Sequence, residues 1–168
     1  MKDPIGLKHN KIVYKDQELP IWFIDTGAPH TVIFWENISS EKSFSEFDII
    51  EFGRNIRFHE LYKPDGTNVN LVYLLGNNGI KIRTYERGVE NETLSCGTGS
   101  IASAIISTLK FNLSPPIKVI PLSNDELVVD FSYDKGKISN VTLEGSVNIV
   151  FRGELIYNEN EKKIIFKL

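Results

Sequence analysis

The chain has a single cysteine, Cys96, in 168 residues. One cysteine excludes an intramolecular disulfide, and a reducing, cytoplasmic setting is the expectation. Its three histidines (His9, His30 and His59) are scattered and share no ligand spacing with Cys96, so no metal site is expected. Basic residues do not dominate. The net charge is -3 and no Lys/Arg cluster stands out, which removes the electrostatic case for a nucleic-acid partner. No apolar run is long enough to cross a bilayer, so no membrane partner is expected. Met1 to Tyr14 lacks a secretory signal pattern, because His9, Asn10 and Lys11 interrupt any apolar stretch. Internal repeats, low-complexity tracts and linkers are missing, so residues 1–168 are expected to form one domain.

Short strands make up most of what is there. The hydrophobic fraction of 41% and charged fraction of 24% suit a globular domain with a real core. Apolar or β-branched runs predict strands at Ile12 to Tyr14, Ile21 to Ile24, Thr31 to Phe34 and Val69 to Leu75. Strict alternation predicts another from Ile80 to Tyr85. Further strands are predicted at Ile117 to Ile120, Glu126 to Phe131, Ile138 to Glu144 and Val147 to Tyr157, with a last short one at Lys162 to Leu168. Two helices interrupt this pattern. Phe44, Phe47, Ile50 and Ile56 have helical spacing, with Ser43 or Ser45 as N-cap and Gly53 weakening the second half. Ser100 to Leu109 predicts a second helix with so little polar surface that it should be buried. The expected fold class is α+β: a mainly antiparallel β-sheet rolled around a central helix.

The chemistry concentrates in Arg83 to Ser100, RTYERGVENETLSCGTGS. A thiol at the start of a helix meets unpaired N–H groups and the positive end of the helix dipole, which favour the thiolate. The same N–H groups, on Gly97, Thr98 and Gly99, can hold a carboxylate. A free cysteine is also commonly a small buried hydrophobe, and a Gly-Thr-Gly segment is also simply a tight turn; the residues alone leave both readings open.

Four blocks resemble the second half of diaminopimelate epimerase. They are Asp25 to Phe34 (DTGAPHTVIF), Pro64 to Val72 (PDGTNVNLV), Arg83 to Gly88 (RTYERG) and Glu92 to Gly99 (ETLSCGTG), in the family's order and at about its separations. The resemblance runs from near Met1 to about Tyr157. It implies one lobe of a two-lobed fold, in which each lobe supplies a catalytic cysteine and the substrate lies between them. The first lobe's Cys-Gly-Asn-Gly block has no counterpart here. The implied activity is epimerisation of LL- to meso-diaminopimelate in lysine biosynthesis, without a cofactor. Cys96 would be one of two thiol acid/bases, assisted by Glu86. Arg87, Asn68, Gly97 and Thr98 would bind substrate, with Asn70 a less secure candidate. His30 matches a histidine that helps the other lobe's cysteine. Two departures stand out: Ala28 replaces a substrate-binding asparagine, and Val89-Glu90-Asn91-Glu92 is one residue longer than the family spacing. A structural histidine and an exposed Glu86–Arg87 pair at a strand end are the plainer readings of those residues.

The expected partners are a small amino-acid substrate and either a complementary first lobe or a second copy of this chain. Residues 147–168 form a tail expected to pair with that lobe or with another chain, since an unpaired apolar edge invites pairing. Two alternatives accompany the main reading. One is a racemase of another amino acid acting as a homodimer, motivated by Ala28; the other is a non-catalytic amino-acid-binding remnant.

Overall fold

A computed structural model describes residues 3–76 and 78–167. Met1, Lys2, Asn77 and Leu168 of the expected domain lie outside the described residues, and Leu168 was the end of the expected last strand. The fold is α+β. One sheet is built from β1 (Ile5–Tyr14), β2 (Gln17–Asp25), β3 (Pro29–Phe34), β4 (Asn68–Leu75), β5 (Gly79–Glu86), β6 (Asn91–Thr93), β7 (Ile117–Ile120), β8 (Leu127–Asp134) and β9 (Lys137–Gly145). The order is β1-β2-β3-β4-β5-β7-β8-β9, with β6 paired to β5. Most pairings are antiparallel, but β3–β4 and β5–β7 are parallel. Parallel neighbours need a crossover. Here the two crossovers carry the two helices, α1 (Ile49–Arg57) and α2 (Gly97–Phe111).

The two helices take opposite faces of the sheet. β5 runs opposite to β3, yet both crossovers step the same way across the sheet, so right-handed connections place α1 and α2 on different sides. Side chains sort between the faces with the two-residue period of a strand. Ile24, Val32, Phe34, Val72, Ile80 and Ile82 face α2, while Ile21, Ile33, Val69, Leu71 and Tyr85 face α1. α2 touches β2, β3, β4, β5, β7, β8 and β9, so the sheet rolls around it. Buried residues run continuously from Gly99 to Ser107, which explains the near absence of a polar stripe in its sequence. The helix extends beyond the predicted Ser100 to Leu109 at both ends. It stops at Asn112, in the left-handed region at φ 55°, whose N–H bonds Thr108 O.

The first helix starts later than its apolar spacing predicts. Its N-cap is Asp48, whose carboxylate accepts from Ile50 N–H and Glu51 N–H at 3.1 and 3.0 Å, and not Ser43 or Ser45. Ser43 is engaged elsewhere, its hydroxyl donating to Glu46 Oε2 at 2.7 Å. The carbonyls of Phe44 and Phe47 each accept from Arg83 Nη1 at 2.8 Å, which ties the segment before the helix to β5. Phe44 and Phe47 still pack on the α1-side core from the preceding turn. Gly53 belongs to the helix for a packing reason: a Cβ there would lie 2.6 Å from Tyr85 Cγ.

The tail departs from expectation. Val147 to Gly153 forms no strand, and Val147 and Phe151 are 94% and 83% exposed. Pairing begins only at β10 (Glu154–Asn158), which forms an antiparallel hairpin with β11 (Lys163–Lys167), separate from the main sheet. An eleven-residue strand from Val147 would have needed a partner along its whole length, and among the described residues only the part after Gly153 has one. The expected last strand is present as β11.

Candidate active site

The α2-facing positions of the central strands turn polar at one end. His30 on β3, Asn68 and Asn70 on β4, and Thr84 and Glu86 on β5 continue the same alternation as Val32, Val72 and Ile82. Register brings them together: His30 lies opposite Asn68, and Asn70 opposite Thr84. His30, Asn68, Asn70 and Thr84 are all buried. Above them sits the N-terminus of α2, with Cys96 as the N-cap residue. The first intrahelical N–H bond, Ser100 N–H to Cys96 O at 2.8 Å, leaves the N–H groups of Gly97, Thr98 and Gly99 outside the helical ladder. A Cβ at Gly99 would collide with Asn70 Oδ1, and one at Gly97 would come 3.0 Å from Leu143 Cδ2. The Gly-Thr-Gly segment is therefore a close-packing requirement as well as a source of donors. Thr26 adds a tether, its hydroxyl donating to Thr98 O at 2.9 Å.

Cys96 is 8% exposed. Its Sγ lies 3.6 Å from Thr98 Oγ1. Burial pushes the thiol up, and the nearby Glu86 carboxylate adds to the rise; the Thr98 hydroxyl and the backbone N–H groups of Gly99 and Thr98 oppose it without cancelling it. The helix N–H groups pull toward the thiolate as expected, but the net direction is upward, which corrects the expectation of a thiolate near neutral pH. Desolvation of the sulfur outweighs the helix N–H groups, and the resting form is the thiol.

His30 is fully buried between Asn70 and Thr98. Its Nε2 is 2.9 Å from Thr98 Oγ1, and its Nδ1 is 3.0 Å from Asn70 Nδ2. Burial, with a contribution from the Arg87 guanidinium, pushes its pKa down to about 3, so the imidazole is neutral. Asn68 ties two segments together: Nδ2 donates to Pro29 O at 3.0 Å and Oδ1 accepts from Arg87 N–H at 2.8 Å. Each end of that amide retains capacity for one further partner. Arg87 is half-buried beside a cavity of about 320 Å³ that Asp25, Pro29, Tyr62, Lys63 and Asp65 also line. Cys96 is not part of that lining.

Glu86 Oε2 accepts from the Thr93 hydroxyl at 2.8 Å, across the β5–β6 pairing. The loop after Glu86 closes in a tight turn. Glu90 has φ 57°, and its N–H returns to Glu86 O at 2.8 Å. Its carboxylate is held by Gly88 N–H, Arg57 Nε and the Tyr85 hydroxyl. Glu86 thus keeps its place in β5, opposite Asn91.

The family model described as Diaminopimelate epimerase matches residues 22–150. The chain belongs to the diaminopimelate epimerase family. The diaminopimelate epimerase of Aquifex aeolicus is 47% identical over 134 residues, which cover 79% of this chain and 45% of that protein. Those of Hydrogenobaculum sp. and Chlamydia trachomatis serovar L2 are 43% and 37% identical; each match covers 80% of this chain and 46% of the relative. The chain spans about half the length of the curated relatives it matches. A PhzF-family phenazine biosynthesis protein from Enterococcus faecalis aligns with TM-score 0.44 and 15% identity, over 77% of this chain and 40% of that one, too distant to bear on function.

Against this diaminopimelate epimerase background, the sequence-derived residues fall into two connected groups. Cys96, Thr98 and His30 join one hydrogen-bonded line; Asn68 and Arg87 are joined through the Arg87 N–H. Glu86 reaches Cys96 through its charge. Gly97 and Thr98 form the first turn of α2. Two-residue spacing puts Asn70 on the same strand face as Asn68. It does share that face, but it is fully buried among His30, Thr31 and Thr84. Nothing in the residue pattern beyond its spacing from Asn68 signals this burial. Arg83, inside a family block, faces the α1 side. There it makes a bidentate pair with Glu92 at 2.6 and 2.8 Å and holds the chain that precedes α1.

Proposed function

We propose that this chain supplies one half of a cofactor-independent diaminopimelate epimerase site, converting LL- to meso-diaminopimelate for lysine biosynthesis, with the second thiol supplied by a first lobe. Epimerisation removes the α-proton from one face and returns a proton on the other. Cys96 carries one of these protons at its Sγ. Burial keeps it as a thiol at rest, so in the direction where the other lobe's thiolate takes the α-proton, Cys96 delivers its S–H proton to Cα and is left as the thiolate. The reverse reaction uses it as the base. The N–H groups of Gly97, Thr98 and Gly99 bind the α-carboxylate and stabilise charge developing beside it. Arg87 binds a substrate carboxylate and Asn68 a substrate polar group. Glu86, beside Cys96, assists transfer to and from the sulfur. The exposed apolar run of 147–151 and the β10–β11 hairpin meet the complementary lobe.

The observation that carries this reading is Cys96 at the N-cap of α2, with three N–H groups free of the helical ladder beside it. The test mixes this chain with the separately expressed N-terminal half of a full-length relative. Deuterium uptake at the α-carbon of diaminopimelate is then followed by mass spectrometry in heavy water. Exchange that is lost in Cys96→Ala supports the reading. A folded mixture with no exchange refutes it. Ala28 favours a second reading, a homodimeric racemase of another amino acid, because alanine offers no side-chain hydrogen bond where the family uses asparagine. Exchange of another amino acid by this chain alone, with a dimer in light scattering, would establish that reading instead. Binding of diaminopimelate by calorimetry without exchange in any mixture would leave a non-catalytic binding remnant.

A further inference from the structure

The hydrogen bonds around Asn70 have only one consistent direction. Thr31 O, a backbone carbonyl, can only accept, so the amide atom 3.3 Å from it must be the nitrogen, Nδ2. Asn70 Oδ1 then accepts from the Thr84 hydroxyl at 3.0 Å. The second proton on Nδ2 points at His30 Nδ1, 3.0 Å away, which must accept it. A neutral imidazole that accepts at Nδ1 carries its proton on Nε2. That proton goes to Thr98 Oγ1 at 2.9 Å. With its oxygen accepting, the Thr98 hydroxyl has its own hydrogen free to point at Cys96 Sγ, 3.6 Å away. The opposite tautomer would reverse every later step: Thr98 would donate to His30, and the sulfur would face only a lone pair.

We propose that Asn70 is a positioning residue for Cys96. By fixing His30 as the Nε2–H tautomer it turns the Thr98 hydroxyl toward the sulfur as a donor, so that the thiolate left after proton delivery is solvated from within. Asn70 touches no reacting atom. It acts through His30 and Thr98, and its packing against Gly99 holds it in register with the first turn of α2. Charged His30 has no place in this line, because its Nδ1–H would face the amide N–H. His30 is thereby a donor relay to Cys96 and is not free to act as a base at Nε2. The proposal rests on reading Cys96 as a proton carrier, but its wiring can be read on this chain alone, without substrate or a second lobe.

Because the chain has one cysteine, thiol titration reports Cys96 alone. The initial rate of alkylation by iodoacetamide is measured against pH, giving the midpoint for thiolate formation. Thr98→Val and Asn70→Ala are each expected to raise that midpoint by about one unit, a hydrogen bond to sulfur being weaker than one to oxygen. Thr98→Ser should restore the wild-type midpoint. In the 15N-labelled wild-type chain, the histidine whose nitrogens do not titrate above pH 4 should show a protonated Nε2 and an unprotonated Nδ1. An unprotonated Nε2, or unchanged midpoints in folded Thr98→Val and Asn70→Ala, would overturn the proposal. A loss of stability in Asn70→Ala without a midpoint change also overturns it, since that is the signature of a merely structural amide. If Asn70→Ala does not fold, the wild-type tautomer and the Thr98→Val midpoint decide. Failure of α-proton exchange in the two-lobe mixture, with this wiring intact, counts against the proposed function and not against the role of Asn70.

Discussion

Lowering the pH asks His30 to take up a proton for which the fold has no partner. Both ring nitrogens are committed, Nδ1 as an acceptor from Asn70 and Nε2 as the donor to Thr98, and the ring is fully buried. Its pKa falls from the ordinary 6.5 to about 3 in the folded chain. Between these values the unfolded chain binds more protons than the folded one, so stability rises with pH across the window and is lost as pH falls below 6.5. Each pH unit below 6.5 costs roughly 1.4 kcal/mol from this residue alone, so roughly 3 kcal/mol is gone by pH 4.5. The measurement is urea unfolding at half-unit steps from pH 7.5 to 4.5, for the wild type and His30→Gln. The variant removes this titration and leaves every carboxylate in place. The wild-type curve should fall more steeply than that of the variant, with the difference starting near pH 6.5. Parallel curves would refute the argument, because they would mean that His30 gains its proton as easily folded as unfolded.

Two other perturbations test the packing around the site. Gly53→Ala should destabilise by about 2 kcal/mol in urea unfolding. The helix-propensity gain of about 1 kcal/mol is outweighed by an overpacking cost of about 3 kcal/mol against the buried Tyr85 ring; equal or greater stability would show that α1 can step away from β5. Arg83→Met should cost about 3 kcal/mol, because Glu92 is left as a largely buried, unpaired carboxylate. It should also speed proteolytic cleavage near Phe44 to Phe47, whose carbonyls Arg83 holds.

Much of the sheet was legible because its central strands obey a two-residue period strict enough to sort both cores. β4 and β5 were read nearly to their ends. β1 was not: Ile5 to Lys11 is exposed and mixed in character, so only Ile12 to Tyr14 showed a pattern. Parallel pairing of β3–β4 and β5–β7 cannot be read from strand composition, since it depends on where the crossovers travel. The start of α1 was misplaced because Phe44 and Phe47 carry helical spacing without helical backbone. The helix begins instead at the Asp48 cap, and the segment before it is held by Arg83, a residue 36 and 39 positions further along the chain from Phe47 and Phe44. At the site, a helix close after Cys96 was visible in the sequence, but it was read from Ser100, whereas the Gly-Thr-Gly segment already forms its first turn. The balance between its dipole and desolvation was not visible, because desolvation depends on how deeply the sheet encloses the sulfur. The direction of the line from Asn70 to Cys96 was also out of reach, being set by one carbonyl, Thr31 O, that no residue type encodes.

α2 has no water-facing side on which to form in advance of its surroundings. Its backbone can settle only while the strands curl about it, so the turn that carries the sulfur comes into being together with the whole sheet. Amide exchange at Ser100 through Ser107 should therefore proceed only through global opening. Any substitution that weakens the sheet, however far from Cys96, drains the population of assembled sites in direct proportion to the unfolded fraction.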